Sequence, residues 1–145
     1  MILLSHVVTG AVIGEKLNNP FLISAIGLAS HYILDRVLHW NYKVPGSFST
    51  WKFMRILPDI IPSILVYLFF IFSYPEKWFE ISLGVAFAIM PDFATLFSYI
   101  PYIKKLYKPL HKLHKKIQSE TTNVFLGLTT QILYIAFLLL IFKYF

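Results

Sequence analysis

Long apolar runs alternate with short polar breaks along the whole chain, and this pattern predicts an all-α protein. The runs cover residues 2–17, 20–40, 55–74, 79–100 and 123–142. The breaks contain proline, glycine, asparagine and charged residues, which end helices or form turns. A sixth, short helix is predicted over residues 109–117, where apolar and lysine positions occupy opposite faces.

Composition changes this picture from a soluble helical protein to a membrane protein. Hydrophobic residues make up 57% of the chain and charged residues 14%, whereas about a quarter of the residues of soluble proteins are charged. We therefore expect a single integral-membrane domain over residues 1–145, a polytopic bundle of about five apolar helices with four to five spanning. Residues 2–17 barely reach across a hydrocarbon core of about 30 Å, so whether they span stays open.

The basic residues predict the orientation of this bundle. Six of the 13 lysine and arginine residues lie between residues 101 and 122. By the positive-inside rule this segment is cytoplasmic, with the N-terminus inside and the C-terminus outside a prokaryotic inner membrane. The net charge of +6 then indicates contact with anionic lipid or phosphate rather than with nucleic acid.

The candidate chemistry starts from three polar residues at the end of the second run. His31, Asp35 and His39 follow one another at four-residue spacing, so on a helix they share one face. Imidazole and carboxylate groups are ligands for divalent metals, and the absence of cysteine excludes thiolate ligands. The pattern favours one or two zinc ions, or manganese; a polar patch at a membrane surface is the alternative.

All three aspartates of the chain fall within apolar runs, where each carboxylate costs about 2.5–3.5 kcal/mol to insert into a membrane. Counted from the expected helix ends, they lie with two histidines in the cytoplasmic half of the bundle. The predicted metal ligands are His6, His31, Asp35, His39 and Asp92. Pro58-Asp59 is also a common helix-start signal, which accounts for Asp59 without a metal.

The basic segment supplies further candidates. Either Asp59 or His114 is expected to act as general base or to complete a second metal site. A phosphate group would be attracted by Arg36, Lys112, Lys115 and Lys116. The alternative is that the lysine-rich helix anchors to anionic lipid and fixes orientation.

The segment from Gly27 through His31 and Asp35 to His39 resembles the Gly-x-x-x-His-x-x-x-Asp…His helix of the zinc-dependent phospholipase C and single-strand nuclease superfamily. With an early His6, Met90-Pro91-Asp92 and a later His-x-x-His, the chain is similar to small inner-membrane metal-dependent hydrolases of the YdjM type. The resemblance implies a helical, zinc-dependent phosphoesterase site. The shorter Asp35-to-His39 spacing favours one or two metals over three.

Two functions follow from these observations. The first is a membrane-embedded, metal-dependent phosphoesterase acting on a phospholipid or lipid-linked phosphate at the cytoplasmic face. The second is a non-enzymatic membrane protein, a proton or ion conduit or a structural module, in which buried aspartates and histidines pair with one another. Geometry separates them, because metal ligands close on one point while a relay extends across the membrane.

Overall fold

A computed structural model describes residues 2–40, 50–97 and 104–144, and the all-α prediction is confirmed for these ranges. The helices are α1 (Leu3–Lys16), α2 (Pro20–Arg36), α3 (Thr50–Ser73), α4 (Trp78–Phe97), α5 (Lys104–Ile117) and α6 (Val124–Tyr144). A short 3₁₀ turn, Pro75–Lys77, joins α3 to α4. Most of the loop predicted between the second and third runs lies outside the described residues.

The start of α2 follows from its local sequence. The Asn19 side chain accepts hydrogen bonds from the backbone N–H groups of Phe21 and Leu22, and Pro20 occupies the first helical position, where a missing N–H does no harm. The helix ends at Arg36, four residues before the predicted end. His39 therefore lies beyond the helix, in an extended segment.

Helix α1 forms the centre of the fold and packs most extensively against α4. The two backbones come very close at Gly10 and Gly84, where a Cβ on Gly10 would lie 2.6 Å from the Gly84 carbonyl oxygen. Glycine is needed there because any side chain would separate the helices. Around this contact is an apolar core formed by Val7, Ala11, Val12, Phe70, Ile81 and Val85.

The expectation of four to five spanning helices is wrong. Among the described residues, only α6 is long and apolar enough by itself to cross a membrane. The count rises to two if Leu57–Ser73 and Pro75–Phe93, which are bent by 109° relative to each other, form one broken span. The physical reason is clearest in α1: its 14 residues extend only about 21 Å, and its apolar side chains are buried against other helices.

The ends of α2 and α5 are held together by backbone hydrogen bonds. The N–H of Ser119 donates to the carbonyl of Asp35 at 2.8 Å, and the N–H of His39 donates to the carbonyl of Ser119 at 3.1 Å. The N–H of Thr121 donates back to His39 at 2.9 Å. These bonds bring the last turn of α5 beside the last turn of α2.

Candidate metal centre

The carboxylate of Asp35 lies at the centre of a buried polar cluster. His6 on α1, His31 on α2, His39 after α2 and His114 on α5 all point their Nε2 atoms at it. All five side chains are buried. Because buried charged groups need partners, this arrangement of four histidines around one aspartate requires a chemical explanation.

Three residues of the cluster, together with Asp92 on α4, form a group that could hold a metal ion: His31, Asp35, Asp92 and His114. One ligand atom from each lies within 4.8 Å of the others. The Nε2 of His114 is 3.0 Å and the Nε2 of His31 is 3.3 Å from Asp35 Oδ2. Asp92 Oδ1 lies 3.8 Å from each of the same two nitrogens.

These separations fit a coordination sphere. Zinc binds imidazole nitrogen and carboxylate oxygen at about 2.0–2.2 Å, so neighbouring ligand atoms on a tetrahedron are about 3.3–3.6 Å apart. The four separations between a histidine nitrogen and a carboxylate oxygen, 3.0–3.8 Å, lie around this range, and all pairs are within 4.8 Å. The donor set of two imidazoles and two carboxylates also suits zinc or manganese.

The orientation of two histidine rings supports the same interpretation. His31 Nδ1 lies 2.7 Å from the carbonyl oxygen of Ala88, and His39 Nδ1 lies 2.7 Å from that of Val37. A carbonyl only accepts, so each Nδ1 must carry the hydrogen. A neutral His31 then directs the lone pair of Nε2 at the Asp35 carboxylate, which requires a cation or a proton between them.

The second carboxylate oxygen of Asp35 has its own pair of histidines. His6 Nε2 lies 3.5 Å and His39 Nε2 lies 3.9 Å from Asp35 Oδ1. The His6 and His31 rings stack with centroids 4.2 Å apart. The amide nitrogen of Gln118 is 3.4 Å from His39 Nε2. Each carboxylate oxygen therefore faces a different pair of imidazoles.

Burial and contacts with neighbouring imidazoles shift the pKa values of His6 and Asp35 in the cluster. Burial lowers the pKa of His6 to about 4, because the imidazolium form is the more strongly hydrated one. Burial alone would raise the pKa of Asp35, but the contacts from His114, His31 and His6 outweigh it and keep that pKa below its ordinary value. Near neutral pH, His6 is thus neutral and Asp35 ionised, the forms in which both bind metals.

Asp59, one of the two predicted general bases, contacts the start of α1 rather than the cluster. Its two carboxylate oxygens accept hydrogen bonds from the backbone N–H groups of Leu3 and Leu4, at 2.7 and 3.0 Å. These are free donors at the start of α1, so Asp59 caps that helix. The other predicted base, His114, belongs to the cluster itself.

The predicted phosphate-attracting residues lie on two helices, three lysines on α5 and one arginine on α2. Lys112, Lys115 and Lys116 are exposed, and they project roughly 100–160° around α5 from His114. These lysines therefore face away from the cluster. Arg36 is also exposed but directly follows Asp35, at the end of α2.

Two neighbours of the cluster were not singled out from the sequence. The Tyr32 ring makes an edge contact with His31, with centroids 5.5 Å apart, and lies 6.2 Å from the His114 ring. Gln118 reaches His39 from the segment after α5. No local signal identifies Gln118, because its contact joins segments far apart in the chain.

No protein family, curated protein or solved structure matches this chain.

Proposed function

We propose that this protein is a divalent-metal-dependent hydrolase of phosphoesters that works at a membrane surface. The observation that carries the proposal is the convergence of His31, Asp35, Asp92 and His114, with one ligand atom of each within 4.8 Å of the others. The four ligands come from three separate helices and three of them are buried, an arrangement that is costly to assemble unless a cation compensates it.

The residues have distinct roles in this proposal. His31, Asp35 and His114 hold the ion from inside the fold, while Asp92, whose side chain is 40% exposed, forms the open side through which water and substrate enter. A divalent ion supplies Lewis acidity, which polarises a phosphoryl oxygen and activates water at neutral pH. With one oxygen on the ion, the exposed Asp92 carboxylate would have its second oxygen on the open side, where it would accept the proton that the attacking water releases.

The metal would be zinc or manganese, as one or two ions. The first would be held by the four converging residues. His6 and His39, on the other oxygen of Asp35, offer ligands for a second, so that the Asp35 carboxylate would contact both. The full set matches the chemistry implied by the resemblance to zinc-dependent phospholipases C.

The association with a membrane is inferred from α6. Its side chains are strongly exposed, with Phe125 at 82% and Ile132 at 64%, as expected for a helix surrounded by lipid. The lysine-rich α5 precedes the N-terminal end of α6, so the positive-inside rule puts that end in the cytoplasm and the C-terminus outside. The site then meets the cytoplasmic leaflet of a prokaryotic inner membrane, and its substrate is a phospholipid or lipid-linked phosphate.

The lysines of α5 do not take part in the reaction at the metal centre. Because they face away from the cluster, they attract the membrane surface rather than bind the reacting phosphate. Arg36 also projects about 100° around α2 from Asp35, but it lies at the end of the helix that carries His31 and Asp35, so it is the candidate for contact with a phosphate oxygen at the edge of the site.

A non-enzymatic structural module is the second candidate. It is favoured by the 3.0 Å contact between His114 and Asp35, which could be a stabilising ion pair without any metal. A proton conduit fits less well, because the titratable groups meet at one point rather than forming a series across a membrane.

The experiment is metal analysis of detergent-purified full chain by mass spectrometry, followed by hydrolysis of phosphatidylglycerol in vesicles. We expect about one or two zinc or manganese ions per chain and metal-dependent release of the headgroup. The double variant His31→Ala, Asp35→Ala should lose both. Tyr67→Phe is the matched control, because it removes a 2.8 Å hydrogen bond to Ser82 away from the cluster and should keep both.

Two results would count against this function. Metal-free wild-type protein, even after incubation with excess zinc or manganese, would leave the structural module as the explanation of the cluster. Metal that binds but supports no hydrolysis of phosphatidylglycerol or of a soluble phosphodiester would remove the enzymatic part.

A further inference from the structure

An apolar groove adjoins the metal centre on the side of α2 and α5. It has a volume of about 390 Å³ and is lined by Tyr32, Ile33, Arg36, Val37 and Ile117. This volume falls in the range of about 300–1,000 Å³ that is usual for small-molecule sites. Its one charged lining residue among the described side chains is Arg36.

The groove and the metal centre share a wall. The Tyr32 ring lines the groove and also contacts His31, with ring centroids 5.5 Å apart. Arg36 follows the central carboxylate, Asp35, by one residue, so its side chain projects about 100° around α2 from that carboxylate, on the same side as Tyr32. A molecule with its apolar part in the groove would therefore hold its polar end at Arg36, at the edge of the cluster.

The apolar lining is exposed, although α2 belongs to a packed bundle. Ile33 is 66% exposed, and Val37 is also exposed at the end of the helix. On α5, Ile117 continues an apolar face that includes Leu110 and Leu113, both exposed. The groove thus has exposed apolar side chains from α2 and the half-buried Ile117 from α5, and the exposed apolar face of α5 continues beyond it, which is typical of a binding surface for an apolar ligand.

We propose that this groove binds one acyl chain of a phospholipid with an anionic phosphate headgroup, which Arg36 holds beside the metal centre. Charge supports an anionic lipid: the guanidinium of Arg36 suits a phosphate oxygen, and the exposed lysines of α5 attract a negative surface. The candidate membrane helix α6 keeps the groove close to such lipids. This inference rests on the proposed function for its substrate class.

The proposal predicts a dependence on chain length. Each methylene group that moves from water into an apolar site changes affinity by about fourfold. Dipalmitoyl phosphatidylglycerol should therefore bind at least about tenfold more tightly than its dioctanoyl counterpart. A site that recognised only the headgroup would bind the two equally.

A second cavity provides the matched control. It has a volume of about 300 Å³, and its lining includes Ile64 and Tyr67 of α3, but it includes no arginine and none of the cluster residues. Ile64 is 51% exposed, similar to Ile33. Replacing either isoleucine with tryptophan fills the respective cavity with the same side chain.

The experiment is native mass spectrometry of the detergent-solubilised full chain with zinc and dipalmitoyl phosphatidylglycerol, because one spectrum reports both bound species. We expect Ile33→Trp to weaken lipid binding by about tenfold or more and Arg36→Gln by about tenfold. Ile64→Trp should stay within about twofold of wild type. Retained zinc and unchanged circular dichroism show that the variants are folded.

The outcomes separate this inference from the proposed function. If Ile33→Trp and Ile64→Trp lose lipid binding equally, or if neither loses it, the groove is not the lipid site. Bound zinc in the same spectra would still support the metal centre. Selective loss in Ile33→Trp supports the groove. If the same selectivity appears in a protein that never binds zinc, the groove stands and the proposed hydrolase fails.

Discussion

Helix α1 contributes to two interior regions that are built in opposite ways. Towards its C-terminus, Gly10 and Gly14 bring its backbone against α4, and apolar side chains fill the surroundings. Near its N-terminus, His6 enters a cluster with Asp35 and three other histidines. The first region is stabilised by shape and apolar burial. The second gathers polar groups that are costly to bury without a partner.

The difference indicates what each region is for. Close packing accounts for the contact between α1 and α4 without reference to any ligand. No such account covers the cluster, because replacing it with apolar side chains of similar volume would usually be neutral or stabilising. We therefore expect changes in the apolar region to lower stability whether or not metal is present, and changes in the cluster to act through metal binding.

The largest effect is expected for Gly10→Ala. The new Cβ would lie 2.6 Å from both the Gly84 carbonyl oxygen and the Val85 Cα, so the backbones must separate, at a cost of about 3 kcal/mol. Thermal unfolding followed by circular dichroism should show this loss equally with and without zinc.

Gly27→Ala is the control for that measurement. A Cβ there meets its nearest atoms, Gly84 O and Phe87 Cβ, only at 3.2 Å, and the gain in helix propensity offsets part of the strain. We expect a change within about 1 kcal/mol. If Gly10→Ala were equally harmless, the backbone contact between α1 and α4 would be wrong.

The second prediction concerns the cluster and uses Asp35→Asn. This change keeps the shape of the side chain but removes the charge that all four histidines face, so zinc affinity should fall by about 100-fold or more. At a zinc concentration of about 100 times the wild-type Kd, bound metal adds about 2.7 kcal/mol to stability. A chelator should therefore lower the melting temperature of wild type strongly, whereas the variant should lose at most about 0.4 kcal/mol.

A chelator effect of equal size in wild type and Asp35→Asn would mean that zinc binds elsewhere. A large loss of stability in the metal-free variant would instead favour the structural module, because the ionised carboxylate would then stabilise the fold by itself.

Much of the fold could be predicted from the sequence because helix periodicity and helix-ending residues are local signals. The starts of α2 and α6 fall at or within one residue of the predicted positions. The number of spanning helices could not be predicted, because apolar residues that face other helices and apolar residues that face lipid look alike in a sequence. In α1, nine of the 14 residues are buried, and this burial explains its apolar run.

The candidate site likewise has residues that local spacing predicts and residues that only contacts between distant segments place. Four-residue spacing indicated that His31 and Asp35 share a helix face, and both belong to the cluster. The position of His39 depends instead on its backbone pairing with Ser119 and Thr121, and that of His114 on the docking of α5. Asp59 shows the limit most clearly, because its contacts are with residues 55 and 56 positions away, which no local pattern reveals.

The third prediction tests Asp59 as a helix cap against its predicted role as a general base. Asp59→Asn removes the charge and weakens the bonds to the N–H groups of Leu3 and Leu4, so stability should fall by about 1–2 kcal/mol. Zinc affinity should stay within about twofold of wild type. A loss of hydrolysis with unchanged stability would restore the general-base assignment.

The smallest effect is expected for Thr130→Val, which tests how α6 supports the cluster. The Thr130 hydroxyl lies 2.6 Å from the carbonyl oxygen of Leu38, one residue before His39. Valine keeps the volume but removes this hydrogen bond, at a cost of about 1 kcal/mol.

Because the lost bond holds the backbone next to His39, a centre that uses this histidine should lose zinc affinity by a few-fold, while a centre made only of His31, Asp35, Asp92 and His114 should not change. Thr129→Val is the control, since the Thr129 hydroxyl donates to the Phe125 carbonyl within α6, and zinc titration of the two variants separates the two centres. Equal affinities would confine the metal to the four converging residues. A selective loss in Thr130→Val would mean that the Asp35 carboxylate uses both of its oxygens to bind metal.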